Sequence, residues 1–166
     1  MAKFGFYIDL PVRTEWSNVD LLRSSVHNCF TAMFADIDGC HSLGMITAEL
    51  LENAIKYGAW ADNEAVFRLR VSGEERIARV TVENPAKQDD PAVGVLFESL
   101  RWIKSFPSSE EAYRARLLEV ASAPKEVSRL GLARLAYEAN CTLTATLESG
   151  ILKVTAEMPL DPTPKK

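Results

Sequence analysis

Apolar residues recur along this chain in two rhythms, and the switches between them predict an order of elements. Residues 3 to 10 alternate, with Phe4, Phe6 and Ile8 on one face, which predicts a strand. Val19, Leu22, Val26, Cys29 or Phe30, and Met33 then recur at helical spacing to about Phe34, behind Ser17 as cap and Asp20 in the first turn. "DIDGCHSLG" reads as a turn-rich connector, and a second helix is expected from about Leu43 to Tyr57, stopped by Gly58. "EAVFRLRVSG" and "ERIARVTVEN" have strand character, with a hairpin turn expected at Ser72-Gly73-Glu74.

The middle of the chain is helical. Asp90 before Pro91 predicts a capped start, and Val93, Leu96 or Phe97, Leu100 and Ile103 form the apolar face. Ser108 and Glu111 have capping-box spacing for another helix, ending near Pro124. Ser128 caps a last helix, "RLGLARLAYEAN". "CTLTATLESG" and "ILKVTAEMPL" then alternate and meet in a hairpin at Ser149-Gly150, and the tail 161–166 is expected to fray. The order β-α-α-β-β-(α-α)-α-β-β implies an α+β fold with one mixed sheet and helices on one face. Residues 1–160 read as a single domain, without an internal repeat or a low-complexity segment.

Composition narrows the function classes. The 166 residues carry a net charge of -4 and a pI near 5.3, which argues against a nucleic-acid footprint. No apolar run approaches the ~20 residues of a membrane helix, and the start reads as a strand rather than a signal peptide. Cys29, Cys40 and Cys141 have no metal spacing and cannot all pair within one chain, so reduced thiols in a cytoplasmic protein are expected. His27 sits on the first helix with nothing around it like a phosphoacceptor box, and His41 lacks further ligands at metal spacing. Trp16, Trp60 and Trp102 read as packing or partner contacts.

One stretch carries candidate chemistry. In "ITAELLENAIKYGAW", residues 46 to 60, Glu49, Asn53 and Lys56 fall within roughly 60° of one another beside the apolar arc of the helix. An acid, an amide and a cation converge there. Asparagine is a mediocre helix former, so Asn53 needs a reason to be present.

"ELLENAIKYG" resembles the first signature, the N box, of the Bergerat-fold (GHKL) ATPases. This superfamily includes sensor histidine-kinase catalytic domains, anti-sigma-factor serine kinases, gyrase and mismatch-repair ATPases. Glu49, Asn53, Ala54, Lys56 and Tyr57 match the motif, and the resemblance implies a two-layer α/β sandwich, in agreement with the element order. It implies Glu49 as catalytic base, Asn53 as Mg²⁺ ligand through its side-chain oxygen, and Lys56 near the phosphates of ATP. The second signature is altered: Asn84 stands at the adenine-binding Asp position and Ala86 at its Gly. Leu152 replaces the Thr of a late strand. Of the third signature, a Gly-x-Gly pair opening a helix, Gly131 remains and Arg129 stands at the first Gly. The segment between Ala86 and Gly131 reads as two capped helices instead of a glycine-rich lid.

The resemblance therefore implies a cytoplasmic signalling regulator that binds ATP and Mg²⁺ and acts on a regulatory protein partner, an antagonist or a sigma-like protein. It would be a Ser/Thr protein kinase of the anti-sigma-factor type, and it allows for a homodimer. The altered second and third signatures keep open a non-catalytic protein-interaction module. A histidine-kinase ATPase domain working in trans is a third reading.

Overall fold

The computed structural model of the chain describes residues 3–11, 19–59, 66–122, 130–161 and 163–164. The elements follow the expected order: β1 (Phe4–Pro11), α1 (Val19–Met33), α2 (Ile37–Tyr57), β2 (Val66–Glu74), β3 (Ile77–Pro85), α3 (Pro91–Lys104), α4 (Ser109–Ser122), α5 (Leu130–Glu138), β4 (Thr142–Glu148) and β5 (Ile151–Pro159). The strands form a five-stranded sheet in the order β1-β2-β3-β5-β4. Every pairing is antiparallel, so the sheet is not mixed as expected. Two of its pairs are hairpins, β2-β3 inside the sheet and β4-β5 at one edge, and β1 adds to β2 and β5 to β3 running the opposite way.

Alternation divides the sheet's two faces. Leu69 and Val71 of β2, Val80 and Val82 of β3, and Val154, Ala156 and Met158 of β5 are buried, and they form one core with α2. Arg70, Arg79, Glu157, Lys153 and Thr144 lie between such positions, where Arg79 pairs with Glu157 and Glu83 lies near Arg68 and Lys153. Helices cover the first face, giving the two-layer α/β sandwich. α2 is its central helix: it packs on β3 and β5, against α1 on one side and α5 on the other. Cys40, Leu43, Ile46, Leu50, Leu51 and Ala54 form its buried stripe.

Four local expectations need correction, each for a physical reason. α2 begins at Ile37, not near Leu43, because Asp36 caps it by accepting a hydrogen bond from Gly39 N at 2.8 Å. The glycines of the supposed connector serve close packing: a β-carbon on Gly44 would lie 3.2 Å from His27 Cβ on α1. The first hairpin turns at Glu75-Arg76, beyond Ser72-Gly73-Glu74. Gly73 stays in β2 because the Phe4 ring of β1 occupies the space of its missing side chain. Asp161 and Thr163 of the tail are tied down as well, with Asp161 N donating to Asp36 Oδ2 at 3.0 Å and Ala35 N to the Thr163 carbonyl at 2.9 Å. Phe34 and Pro164 bridge there too.

Other local expectations are met. Asp90 caps α3 through Ala92 N at 2.8 Å, and Ser108 Oγ accepts from Glu111 N at 3.2 Å. Ser149 and Gly150 turn the second hairpin with φ of 51° and 77°, the two positive angles that a type I′ turn requires. Ser17, Ser128, Trp16 and Trp60 lie outside the described residues.

Asp36 joins the start of α2 to the end of the chain, so Asp36→Ala removes a cap and a tail contact together. We expect a loss of about 1–2 kcal/mol, or roughly 2–8 °C in a thermal melt at this size. A melting temperature unchanged from wild type would remove the capping assignment.

Candidate functional site

The last three turns of α2 carry Glu49, Asn53 and Lys56, and the helix runs unbroken there because Gly58 ends it only after Tyr57. α5 packs across these turns and brings Gly131 against the Glu49 carboxylate: a β-carbon on Gly131 would overlap Glu49 Oε1. One residue is therefore glycine because an acid sits on it. Glu49, Glu52, Asn53 and Lys56 from α2 and Leu130, Gly131 and Arg134 from α5 line a cavity of about 270 Å³. Glu49, Asn53 and Lys56, but not Ala54 or Tyr57, are thus brought together with Gly131.

Arg134, which the motif comparison passed over, completes this wall. Its Nη2 donates to Glu49 Oε2 at 3.3 Å. It lies three residues after Gly131, one turn along the same face of α5, and that spacing is the signal that could have found it. The Glu49 side chain keeps only 17% of its exposure. Burial pushes its carboxyl above the ordinary glutamate value and the nearby Glu52 adds to this, while Arg134 and the Asn53 amide partly offset it. A carboxyl raised in this way, beside an open cavity, suits a general base. Asn53 Nδ2 donates to the Glu49 carbonyl at 2.9 Å, so Oδ1 is the side-chain atom left for a ligand.

Glu49, Glu52 and Arg134 also border a second cavity, of about 490 Å³, between α1 and α2. Asp20, Arg23, His27 and His41 contribute to it, and the two imidazoles pack edge to face with centroids 5.7 Å apart. His41 is on α2, not in a loop. Among the described residues no cluster of His, Cys, Asp and Glu could hold a metal ion by itself.

The residues assigned to the adenine end lie elsewhere. Asn84 and Ala86 do not line the α2–α5 cavity. Asn84 is 1% exposed at the end of β3, opposite Leu152 of β5, so the altered second signature and the altered Thr position are neighbours in register. Asn84 Nδ2 donates to the Pro85 carbonyl at 3.0 Å, while its Oδ1 is buried without a partner among the described residues. Ala86 N is committed to the Gly150 carbonyl at 2.9 Å. Arg129 lies outside the described residues.

An acid, an amide oxygen and two cations around the cavity fit the phosphates of a nucleotide and their metal in kind: Asn53 Oδ1 would take a hard cation, and Lys56 and Arg134 phosphate oxygens. The buried Asn84 Oδ1 faces none of this cavity and gives the base no contact there.

A solved structure shares this fold. A chain in the crystal structure of the SiaB-SiaC complex from Pseudomonas aeruginosa matches 92% of this chain and 88% of its own length, with a TM-score of 0.68 and 18% identity. At that identity the likeness concerns the fold. No protein-family model and no curated protein matches the chain. Among the described residues no helix is long and apolar enough to cross a membrane.

The contact between Gly131 and Glu49 is testable alone. Gly131→Ala is expected to push the carboxylate off Arg134 while moving the melting temperature by less than about 2 °C. The displaced atoms end a flexible side chain, and alanine contributes up to ~1 kcal/mol of helix propensity in return. Thermal melts, with a side-chain NMR titration of Glu49, read both effects. A loss above about 6 °C would mean that α5 itself had to move.

Proposed function

We propose that this chain is a signalling regulator that binds ATP with Mg²⁺ in the α2–α5 cavity and phosphorylates Ser or Thr on a small protein partner. One observation carries this reading: α2 and α5 bring Glu49, Asn53, Lys56 and Gly131 to a single cavity, with the Glu49 carboxylate seated on the glycine. Bound ATP supplies the phosphoryl group, and Mg²⁺ neutralises charge on its oxygens. Asn53 Oδ1 is the metal ligand and Lys56 a phosphate contact, while Asn84, buried and outside the lining of this cavity, makes no contact there. Glu49 takes the proton of the acceptor hydroxyl. Because Glu49 borders both cavities, the α1–α2 cavity offers that hydroxyl a way in from the side away from the phosphates. A protein partner is supported by the structural neighbour, which crystallised in a two-protein complex.

A second reading, a non-catalytic interaction module on the same fold, is favoured by the burial of Asn84 and the loss of the second-signature glycine at Ala86. A thermal melt with millimolar ATP and Mg²⁺ separates the two. Ligand at ~100 times its dissociation constant adds about 2.7 kcal/mol, a rise of roughly 5–11 °C at this size. A rise that needs Mg²⁺ supports the kinase reading, and no rise with any nucleotide favours the interaction module.

A further inference from the structure

Arg134 belongs to none of the nucleotide motifs, yet it is the residue of α5 that borders both cavities. Its contacts are loose. Nη2 lies 3.3 Å from Glu49 Oε2 and Nε 3.9 Å from Glu138 Oε2, where charge-assisted hydrogen bonds run about 2.7–2.9 Å. The side chain keeps 44% of its exposure, so it has room to turn. Lys56 is the other cation lining the α2–α5 cavity, and Glu49 and Glu52 are its two acids.

A polyphosphate entering that cavity meets a carboxylate, and the guanidinium now bound to this carboxylate is the group best shaped to hold phosphate oxygens two at a time. Resting on the nucleotide-site reading, we propose that Arg134 is a phosphate-binding residue that the free protein stores on Glu49. Ligand entry draws it to the phosphate and leaves the Glu49 carboxylate unpaired. The same movement that holds the ligand then exposes the base, so the carboxylate is screened by its cation until a phosphate donor is in place. Lys56, on α2 itself, lies over the Tyr57 ring, 5.0 Å from its centroid, and pairs with no carboxylate among the described residues.

Calorimetric titration of the full chain with inorganic tripolyphosphate and with ATP, each with Mg²⁺, tests the exchange. Arg134→Gln should weaken both ligands about 10- to 100-fold, the worth of a hydrogen bond to a charged group, and Arg134→Lys should recover part of the loss. Glu49→Gln should tighten binding, and by more in the Arg134 chain than in the Arg134→Gln chain, because only a chain with Arg134 has a cation to release. Circular dichroism of each variant confirms that the fold is kept. Wild-type affinity in Arg134→Gln, or an equal gain from Glu49→Gln in both backgrounds, overturns the exchange and leaves the nucleotide site standing. Failure of both probes to bind wild type overturns the site and the exchange together, and binding of ATP without tripolyphosphate overturns the exchange alone.

Discussion

Asn53→Ala is expected to abolish the Mg²⁺-dependent stabilisation by ATP while leaving the ligand-free melting temperature within about 3 °C of wild type. The expectation pairs a large functional loss with a small structural one. Asn53 is half-buried, and its amide donates to the Glu49 carbonyl one turn back and also acts on the Glu49 carboxyl. Losing such a bond costs about 0.5–1.5 kcal/mol, and alanine regains up to ~0.7 kcal/mol because asparagine is a poor helix former. The metal has no equivalent replacement. Among the cavity-lining residues the remaining side-chain oxygens belong to Glu49, the proposed base, and to Glu52, one residue before Asn53 and turned about 100° from it around the helix. Melts of wild type and variant, each with ATP alone and with ATP plus Mg²⁺, make the comparison. A shift in the variant that still requires Mg²⁺ would remove Asn53 as the metal ligand.

The elements were legible where side chains act locally. Capping at Asp90 and Ser108, the stop at Gly58 and the Ser149-Gly150 turn all depend on residues within one turn of each other. The errors fall where distant residues decide. Gly73 and Gly44 look like punctuation in one dimension, and they are glycine because Phe4 and His27 press on them from other elements. The start of α2 was misplaced for the same reason, since glycines that pack read like glycines that turn. The candidate site divides along the same line. Glu49, Asn53 and Lys56 are four and three residues apart on one helix, so their convergence followed from helical geometry alone. Gly131 stands 82 residues from Glu49 in sequence (131 − 49), and only the packing of α5 on α2 shows that its small size answers to that carboxylate. Arg134 was missed because no motif names it.

Glu49→Gln is expected to bind ATP at least as tightly as wild type, lower phosphoryl transfer at least ~100-fold, and raise the melting temperature at neutral pH. The first two outcomes separate a base from a ligand contact. The third follows from the raised carboxyl. In the unfolded chain Glu49 titrates near its ordinary value of 4.5, and burial pushes the folded value above that. Between the two the folded protein holds a proton that the unfolded chain has released, so stability falls as pH rises through this window. The loss grows as the pH rises through the folded value and is complete above it. The ion pair with Arg134 does not reverse this, because the upward shift already includes it. Glutamine has nearly the same shape and no charge to desolvate, so the variant escapes the penalty. Its advantage should fade as the pH falls below the unfolded value of 4.5, where the wild-type carboxyl becomes protonated in both states. Melts of both proteins from acid to neutral pH check the sign. An advantage constant across that range would assign the gain to packing instead of charge, and unchanged turnover would dismiss Glu49 as the base.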